Sequence, residues 1–180
     1  MLTAVQREDT FALARELGFE EIGFLDVRDL VFRHEYRKFC EDNLCGNFGS
    51  NYSCPPNCGT PEEMQAKAEA FRYGIVLRSQ WSVENTADKA VAASCKAVHN
   101  RRTREFVRRR GDGTFLVMAG GSCDLCPTCQ AAIGGTCPHP EAAWSCLSAY
   151  CIDVAALAQS AGVDFQWDPK RLSYYSVYLF

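Results

Sequence analysis

Three cysteines stand at intervals of three residues directly after an apolar run that has the character of a buried strand. Cys123, Cys126 and Cys129 follow the run at 114–119. Loops at the carboxyl ends of strands are common places for ligands in α/β proteins. The pattern C-x2-C-x2-C is typical of iron–sulfur loops, in which the fourth thiolate comes from farther along the chain.

Cys137 is the nearest candidate for that fourth ligand, and a proline follows it, as in the last cysteine of bacterial ferredoxin motifs. A 4Fe–4S cluster is therefore predicted at Cys123, Cys126, Cys129 and Cys137. A structural zinc is the alternative, although zinc commonly takes its four ligands as two separated pairs. His139 could also replace a thiolate, but a position between two prolines is typical of an ordinary loop residue.

A second group of thiols lies upstream, at Cys40, Cys45, Cys54 and Cys58. Two prolines follow Cys54 directly, and they prevent a helix and hold this stretch in a turn. So many thiols in a short stretch predict a second metal site, which would be another iron–sulfur cluster or zinc. In the alternative, only two or three of them bind metal and the others pack or cover the first cluster.

The remaining cysteines and two histidines carry weaker signals. Cys95 lies near the inner face of a long predicted helix and is expected to be a small buried hydrophobe. Cys146 and Cys151 flank the end of the predicted helix after the cysteine loop, where inert packing is expected and shielding or ligation of the cluster is the alternative. His34 and His99 are expected at the surface of predicted helices.

Composition limits the class of protein. The chain has 180 residues, 47% of them hydrophobic, which is enough for one domain with its own core. Its eleven cysteines are an odd number, and the N-terminus lacks the apolar core of a signal peptide. A cytoplasmic metal protein is therefore expected rather than a disulfide scaffold.

Charge and hydropathy argue against two classes of partner. The net charge is only -3 and no apolar run approaches the roughly 20 residues that span a bilayer, so neither nucleic acid nor a membrane is expected as a partner. Six arginines cluster near the end of the long helix, where they interact favourably with the helix dipole. A docking patch for an acidic electron-transfer protein is the functional alternative. These residues are Arg101, Arg102, Arg104, Arg108, Arg109 and Arg110.

Hydrophobic periodicity and capping residues predict alternating helices and strands along one domain, residues 1–180. The predicted helices are 9–17, 29–40, 61–71, 84–110, 140–150 and 153–161, and the predicted strands are 22–27, 73–81, 114–119, 163–167 and 172–180. Residues 45–61 are expected to form a long loop. The expected fold is α/β, with a mainly parallel sheet of about five strands flanked by helices and with cysteine-rich cluster-binding loops.

Several motifs occur in a characteristic order across roughly residues 38–156. They are Cys40 with Cys45, the segment 51–56, the segment 121–129, the segment 135–140 and the segment 152–154. This set resembles an uncharacterised family of cysteine-rich, predicted metal-binding proteins of anaerobic bacteria and archaea. The resemblance implies iron–sulfur or metal binding and involvement of both cysteine groups, but it implies no reaction.

The ligand set that the resemblance implies is Cys123, Cys126, Cys129 and Cys137, with involvement of Cys40, Cys45 and Cys54. This chain departs from the family pattern at Cys146, where methionine is expected, and at Cys151, where glycine is expected. Both departures leave open a local change in ligation.

A more distant resemblance is to cobalamin-dependent iron–sulfur reductases of the epoxyqueuosine and dehalogenase type, which also run a strand into a cysteine-rich loop. Three hypotheses follow. The first is a 4Fe–4S protein that acts in electron transfer or as a redox accessory protein with a redox partner protein. The second is an iron–sulfur enzyme, such as a reductase with a corrinoid or another bound cofactor. The third is a binding module stabilised by zinc.

Overall fold

The computed structural model describes residues 3–111 and 113–180. Within them one sheet is formed by β1 (Glu21–Asp26), β2 (Tyr73–Ser82), β3 (Leu116–Met118) and β4 (Arg171–Leu179). The helices are α1 (Ala4–Glu16), α2 (Arg37–Glu41), α3 (Pro61–Glu69), α4 (Lys89–Arg110) and α5 (Val154–Ala161). Short 3-10 turns lie at Val27–Asp29, His34–Tyr36, Gln130–Ile133 and Pro140–Ala142.

The strand order is β1-β2-β4-β3, and every neighbouring pair is antiparallel. The predicted mainly parallel sheet of about five strands was therefore wrong. One cause is the long connection from β1 to β2. It begins and ends at the same edge of the sheet, so β2 runs back alongside β1 in the opposite direction. Asp26 lies opposite Tyr73, and the Val27 N–H donates to the Arg72 carbonyl at 2.9 Å, so the two strands form a hairpin with a very long loop.

The position of β4 is the second cause. β2 and β3 run in the same direction and are joined through α4, as a parallel crossover would be. β4 lies between them, however, and pairs antiparallel with both. A helix that joins two strands predicts parallel neighbours only when those two strands also pair, and β2 and β3 are separated by β4.

The predicted strand at 163–167 was also wrong, since these described residues form no strand. Side chains hold this stretch instead. The Asp164 N–H donates to the Glu21 carboxylate at 2.9 Å, and the Tyr175 hydroxyl donates to the Asp164 carbonyl at 2.6 Å. The buried Arg78 guanidinium lies 3.2 Å from the Asp164 carboxylate. These contacts satisfy the local polar groups that a sheet ladder would otherwise have to satisfy.

Two predicted helices are largely replaced by pairing between distant segments. At 29–40 only α2 is α-helical, because Phe32 bridges Ile152 and the Asp153 N–H donates to the Val31 carbonyl at 2.9 Å. At 140–150 only one 3-10 turn forms. Cys146 forms a parallel bridge with Ala119, the residue that directly follows β3. These two bridges thus form hydrogen bonds with backbone groups that would otherwise bond within the predicted helices.

Local capping signals placed α3 and α5 well, whereas α4 begins five residues after its predicted start because Asp88 caps it. Thr60 and Glu63 form a reciprocal capping box at the start of α3, and Asp153 caps α5, whose end is marked by Gly162 at a φ of 67°. α1 begins five residues before its predicted start because Thr3 forms a capping box of its own. Residues 45–61 hold neither helix nor strand until Pro61, as predicted.

Helices pack on both faces of the sheet. In β2, Ile75 and Leu77 face α1 and α4, while Val76 faces the opposite side, and all three are fully buried. The opposite side is covered by α3, α5 and the segment 147–152. Cys58 and Cys146 pack against this second layer.

His99 on α4 is fully buried, so the prediction of a surface histidine was wrong. Its Nδ1 lies 3.0 Å from the Ser79 hydroxyl, and its ring lies directly beneath Gly120, where an added Cβ would be 2.6 Å from it. Burial lowers the pKa of His99 to about 3, and the Arg102 charge adds to this effect. The start of the cysteine loop therefore rests on a neutral imidazole.

Acid should weaken this support. The folded state keeps His99 neutral, whereas the unfolded chain protonates a histidine at about pH 6.5. The stability that depends on the neutral ring is therefore present above about pH 6.5 and is lost as the pH falls toward about 3, by at most about 1.4 kcal/mol per pH unit. His99→Gln should show a shallower loss than the wild type when the free energy of unfolding is measured by urea titration. His34→Gln, at a half-exposed site, is the matched control, and identical slopes in all three proteins would contradict the assignment.

Candidate metal centre

The cysteine loop closes around a pocket, called here the loop pocket. All four predicted cluster ligands line it: Cys123, Cys126, Cys129 and Cys137. The same pocket is lined by Leu125, Pro138 and Ala143, by His139, and by Asn51 and Tyr52 from the upstream segment. All four thiols are partly exposed. The fold thus brings together the four side chains that the spacing singled out.

Glycines shape the two ends of this loop. Gly121 has a φ of 105°, in the region that favours glycine, and its backbone approaches the Lys96 side chain closely. Between Cys129 and Cys137 the chain makes the 3-10 turn Gln130–Ile133, which ends at Gly134 with a φ of 73°. This turn reverses the chain and returns Cys137 to the pocket that the first three cysteines line.

One side of α4 holds the start of the cysteine loop. Arg104 forms an ion pair with Asp124 at 2.8 Å, and the Asn100 amide donates to the other oxygen of that carboxylate at 3.0 Å. One turn earlier, Lys96 lies 3.4 Å from the Ser122 hydroxyl. Residues four apart on a helix share a face, so α4 fixes the loop through a row of polar contacts next to Cys123.

Residues 51–53, called here the clasp, fasten the upstream segment to the cysteine loop. The Asn51 amide donates to the Cys123 carbonyl at 3.0 Å, and the Ser53 hydroxyl accepts from the Cys123 N–H at 2.9 Å. The same hydroxyl donates to the Asn51 side-chain oxygen at 2.9 Å. At the far end of the loop, the Tyr52 hydroxyl donates to the Gly135 carbonyl at 2.5 Å. The clasp therefore connects two segments that are distant in sequence.

A second pocket, called here the upstream pocket, is lined by residues that directly follow the clasp, Cys54 and Pro55. It is lined by Cys40, Cys45, Cys54 and Cys146, with Phe39, Leu44, Phe48, Pro55, Gly121 and Ser122 among the other residues. Three of the four upstream thiols that the sequence singled out therefore meet here. Cys58 is not among the lining residues and packs against the core instead.

Cys146 is the residue whose position the sequence did not reveal. It was expected to pack inertly, and it does contact the core, but it also faces the upstream pocket. The signal that could have found it is the apolar run at 114–119, since Cys146 pairs with the last residue of that run, Ala119. Cys151 is fully buried at a φ of 57°, which explains why glycine is expected at this position. Cys95 is buried, as predicted.

Burial keeps the Cys40 and Cys54 thiols protonated at neutral pH. It raises the pKa of Cys40 to about 11 and that of Cys54 to about 12, and in both cases Cys146 is the neighbouring thiol that adds most to the rise. Burial also raises the pKa of Cys123 and of Cys146. Thiols with such raised pKa values are poor nucleophiles at neutral pH, and a metal that binds them must displace their protons.

Arg37 places a buried positive charge beside these thiols. Its guanidinium donates to the Ala149 carbonyl at 2.9 Å, and its charge partly offsets the burial that raises the pKa of Cys40 and Cys151. Its Nε is buried without a hydrogen-bond partner among the described residues. A cation at this position would stabilise thiolates in the upstream pocket.

The thiols line each pocket, but their sulfur atoms are not grouped around a common centre among the described residues. Among residues 3–111 and 113–180, no three cysteine, histidine, aspartate or glutamate side chains are grouped as a single metal ion would require. A zinc ion needs four sulfurs at about 2.3 Å from one centre. Thiolates of a cubane cluster bind separate irons and need not converge. The donor set is soft: four thiols line each pocket, and His139 also lines the loop pocket.

A family model described as predicted metal-binding protein (DUF2284) matches residues 23–180, a stretch that contains both pockets. The chain belongs to this family. The DUF2284 description gives metal binding without naming the metal, and this agrees with the soft donor set of the pockets. No curated protein and no solved structure matches the chain.

Other sequence features of this DUF2284 member contribute less to the site. Arg108 and Arg109, from the basic end of α4, pair with Glu105 and Glu16 at 2.6 Å each, so part of the charge in the predicted docking patch is already neutralised. In the part of the chain that the structure describes, no helix is long and apolar enough to cross a membrane.

Ser53→Ala should loosen the clasp. The substitution leaves the Cys123 N–H without its acceptor, and an unpaired buried donor costs about 1–3 kcal/mol. We expect a lower free energy of unfolding by that amount and a faster loss of bound metal to a chelator. Ser50→Ala is the matched control, because its hydroxyl only donates to the Gly46 carbonyl in an exposed turn. If both variants release metal at the wild-type rate, the clasp does not fix the cysteine loop.

Proposed function

We propose that this protein binds a 4Fe–4S cluster through Cys123, Cys126, Cys129 and Cys137 and acts in electron transfer or as a redox accessory protein. The observation that carries the proposal is that these four thiols line one pocket. Their spacing is that of iron–sulfur loops, and the fourth ligand comes from farther along the chain, as such loops require. When bound, the cluster would accept and release one electron.

The arrangement of the thiols supports a cluster over a single zinc ion. The described cysteines do not group around one point, whereas a tetrahedral zinc site holds its four sulfurs around a common centre. A zinc-stabilised module is for this reason the weaker hypothesis. The family description, which names metal binding only, is compatible with either metal.

The same set of thiols supports electron transfer over catalysis. An iron–sulfur enzyme that binds its substrate or a cofactor at the cluster needs one iron without a protein ligand. Four thiols line the loop pocket, so each corner of a cubane would have its own cysteine. Apolar side chains from Leu125, Pro138 and Ala143 would exclude water around the cluster and help to set its potential.

The position of the pocket near the surface supports exchange with a partner. The four thiols are partly exposed, and the neighbouring residues Pro127, Thr128, Pro138 and His139 are exposed. A redox partner protein that docks on this surface would approach the cluster closely. The proposed partner surface is therefore the cysteine loop itself, rather than the arginine-rich end of α4, where acidic neighbours already pair with Arg108 and Arg109.

Cys126→Ser tests the ligand assignment. Made and purified without oxygen, this variant should lose about four irons and four acid-labile sulfides per chain, together with part of the visible absorption that dithionite bleaches. Cys95→Ser is the matched control, because Cys95 is buried on α4 and is not among the residues that line either pocket. Iron and sulfide contents equal to those of the wild type in Cys126→Ser would contradict the proposal, as would a wild-type protein that contains zinc and no iron.

A further inference from the structure

We propose that the upstream pocket is a second iron–sulfur site, and that its ligands are Cys40, Cys45, Cys54 and Cys146. The sequence grouped Cys58 with the first three. The fold replaces it with a cysteine from a segment far downstream, beyond the cysteine loop. This site does not depend on what the loop pocket binds.

The backbone fixes Cys146 at the wall of this pocket. Its neighbour Ser145 accepts from the Ala119 N–H at 2.9 Å, and Cys146 itself bridges Ala119 in parallel. The Ala149 N–H donates to the Cys146 carbonyl at 2.9 Å and turns the chain directly after it. Cys146 is thus attached to the end of β3, the strand from which the cysteine loop also departs.

Helix α2 brings Cys40 to the same wall. The Cys40 thiol lies 3.9 Å from the Ser148 carbonyl oxygen, two residues after Cys146. Arg37, one turn earlier on α2, donates to the Ala149 carbonyl at 2.9 Å and is itself buried. These two contacts fasten α2 to the segment that carries Cys146.

Cys58 is close to Cys146 and also packs against the apolar core, but it does not line the upstream pocket. Its thiol lies 4.0 Å from the carbonyl of the next residue, Gly59, and its side chain packs against the apolar core. Its N–H donates to the Cys54 carbonyl at 3.1 Å, a turn contact that contributes no sulfur to the pocket. Cys58 therefore has a structural role in the turn that presents Cys54.

The donor chemistry indicates which kind of metal the upstream pocket would take. Among the described residues that line it, four are cysteines, and no histidine, aspartate or glutamate is present. An all-sulfur site selects zinc or iron–sulfur clusters. The empty space at the upstream pocket is about 740 Å³ and that at the loop pocket about 330 Å³, and both figures include space that is open to solvent. Phe48 and the buried Pro55 provide part of the apolar surroundings in which clusters are held.

The chain at residues 51–55 leads from one pocket to the other. Asn51 and Tyr52 line the loop pocket, whereas Cys54 and Pro55 line the upstream pocket. Between them, the Ser53 hydroxyl lies 3.9 Å from the Cys54 sulfur and 2.9 Å from the Cys123 nitrogen. With a cluster in each pocket, which rests on the proposed function, this path would suit one-electron exchange in which one centre is oxidised as the other is reduced.

Cys146→Ala tests the second site. Wild-type protein purified without oxygen should hold about eight irons and eight sulfides per chain, and Cys146→Ala should hold about half of each. Cys58→Ala is the matched control and should keep the wild-type content. Cys45→Ala is the second variant, since Cys45 is exposed and its loss leaves the core intact. Far-ultraviolet circular dichroism checks the fold of each variant, and titration with dithionite should show half as many electrons taken up by Cys146→Ala as by the wild type.

Three results would overturn this proposal. The first is a Cys146→Ala or Cys45→Ala protein that keeps all its iron and sulfide. The second is the loss of zinc, rather than iron, in these variants. The third is a wild-type protein with only about four irons per chain. In that third case, loss of the same irons in Cys126→Ser would leave the cluster of the loop pocket standing, so the two proposals fail separately.

Discussion

The hydrogen bonds between residues 51–53 and Cys123 are the interaction on which both pockets depend. Asn51 and Ser53 are buried, and they satisfy both the N–H and the carbonyl of Cys123 while they hold each other in place. A buried polar network of this kind specifies one arrangement, because any shift leaves donors and acceptors without partners. Through it, the turn that presents Cys54 and the loop that presents Cys123 have a fixed relation.

The sequence was sufficient where the signal is local. The capping box of Thr60 and Glu63 placed α3, Asp153 placed α5, and the C-x2-C-x2-C spacing identified a set of thiols that line one pocket. The direction of the strands was not predictable in this way, since it depends on where long connections return. The whole upstream cysteine segment lies in the connection between β1 and β2, which pair antiparallel.

The same limitation hid the position of Cys146. An apolar stretch with suitable spacing at 140–150 favours a helix, and a helix would have directed Cys146 into the core. Pairing with Ala119 instead holds the chain extended at Cys146 and places Cys146 beside the end of β3. Pairing between segments 27 residues apart competes with local helix propensity, which is only a weak preference. Contacts of this kind appear only once the sheet is assembled.

Metal binding and folding are coupled in such a site. Burial holds the pKa of Cys40 and Cys54 well above the usual range for a thiol, so metal binding must release protons, and it becomes more favourable as the pH rises. Phe39 and Leu44 flank Cys40 and Cys45 and remain exposed. A bound cluster would lie close to these side chains, which would shield it from water.

Anomalous X-ray scattering at the iron absorption edge, from crystals grown without oxygen, tests the central claim most directly. The account predicts an iron signal inside the loop pocket, among the sulfurs of Cys123, Cys126, Cys129 and Cys137. A zinc signal at that position, or no metal between these four sulfurs, would contradict it.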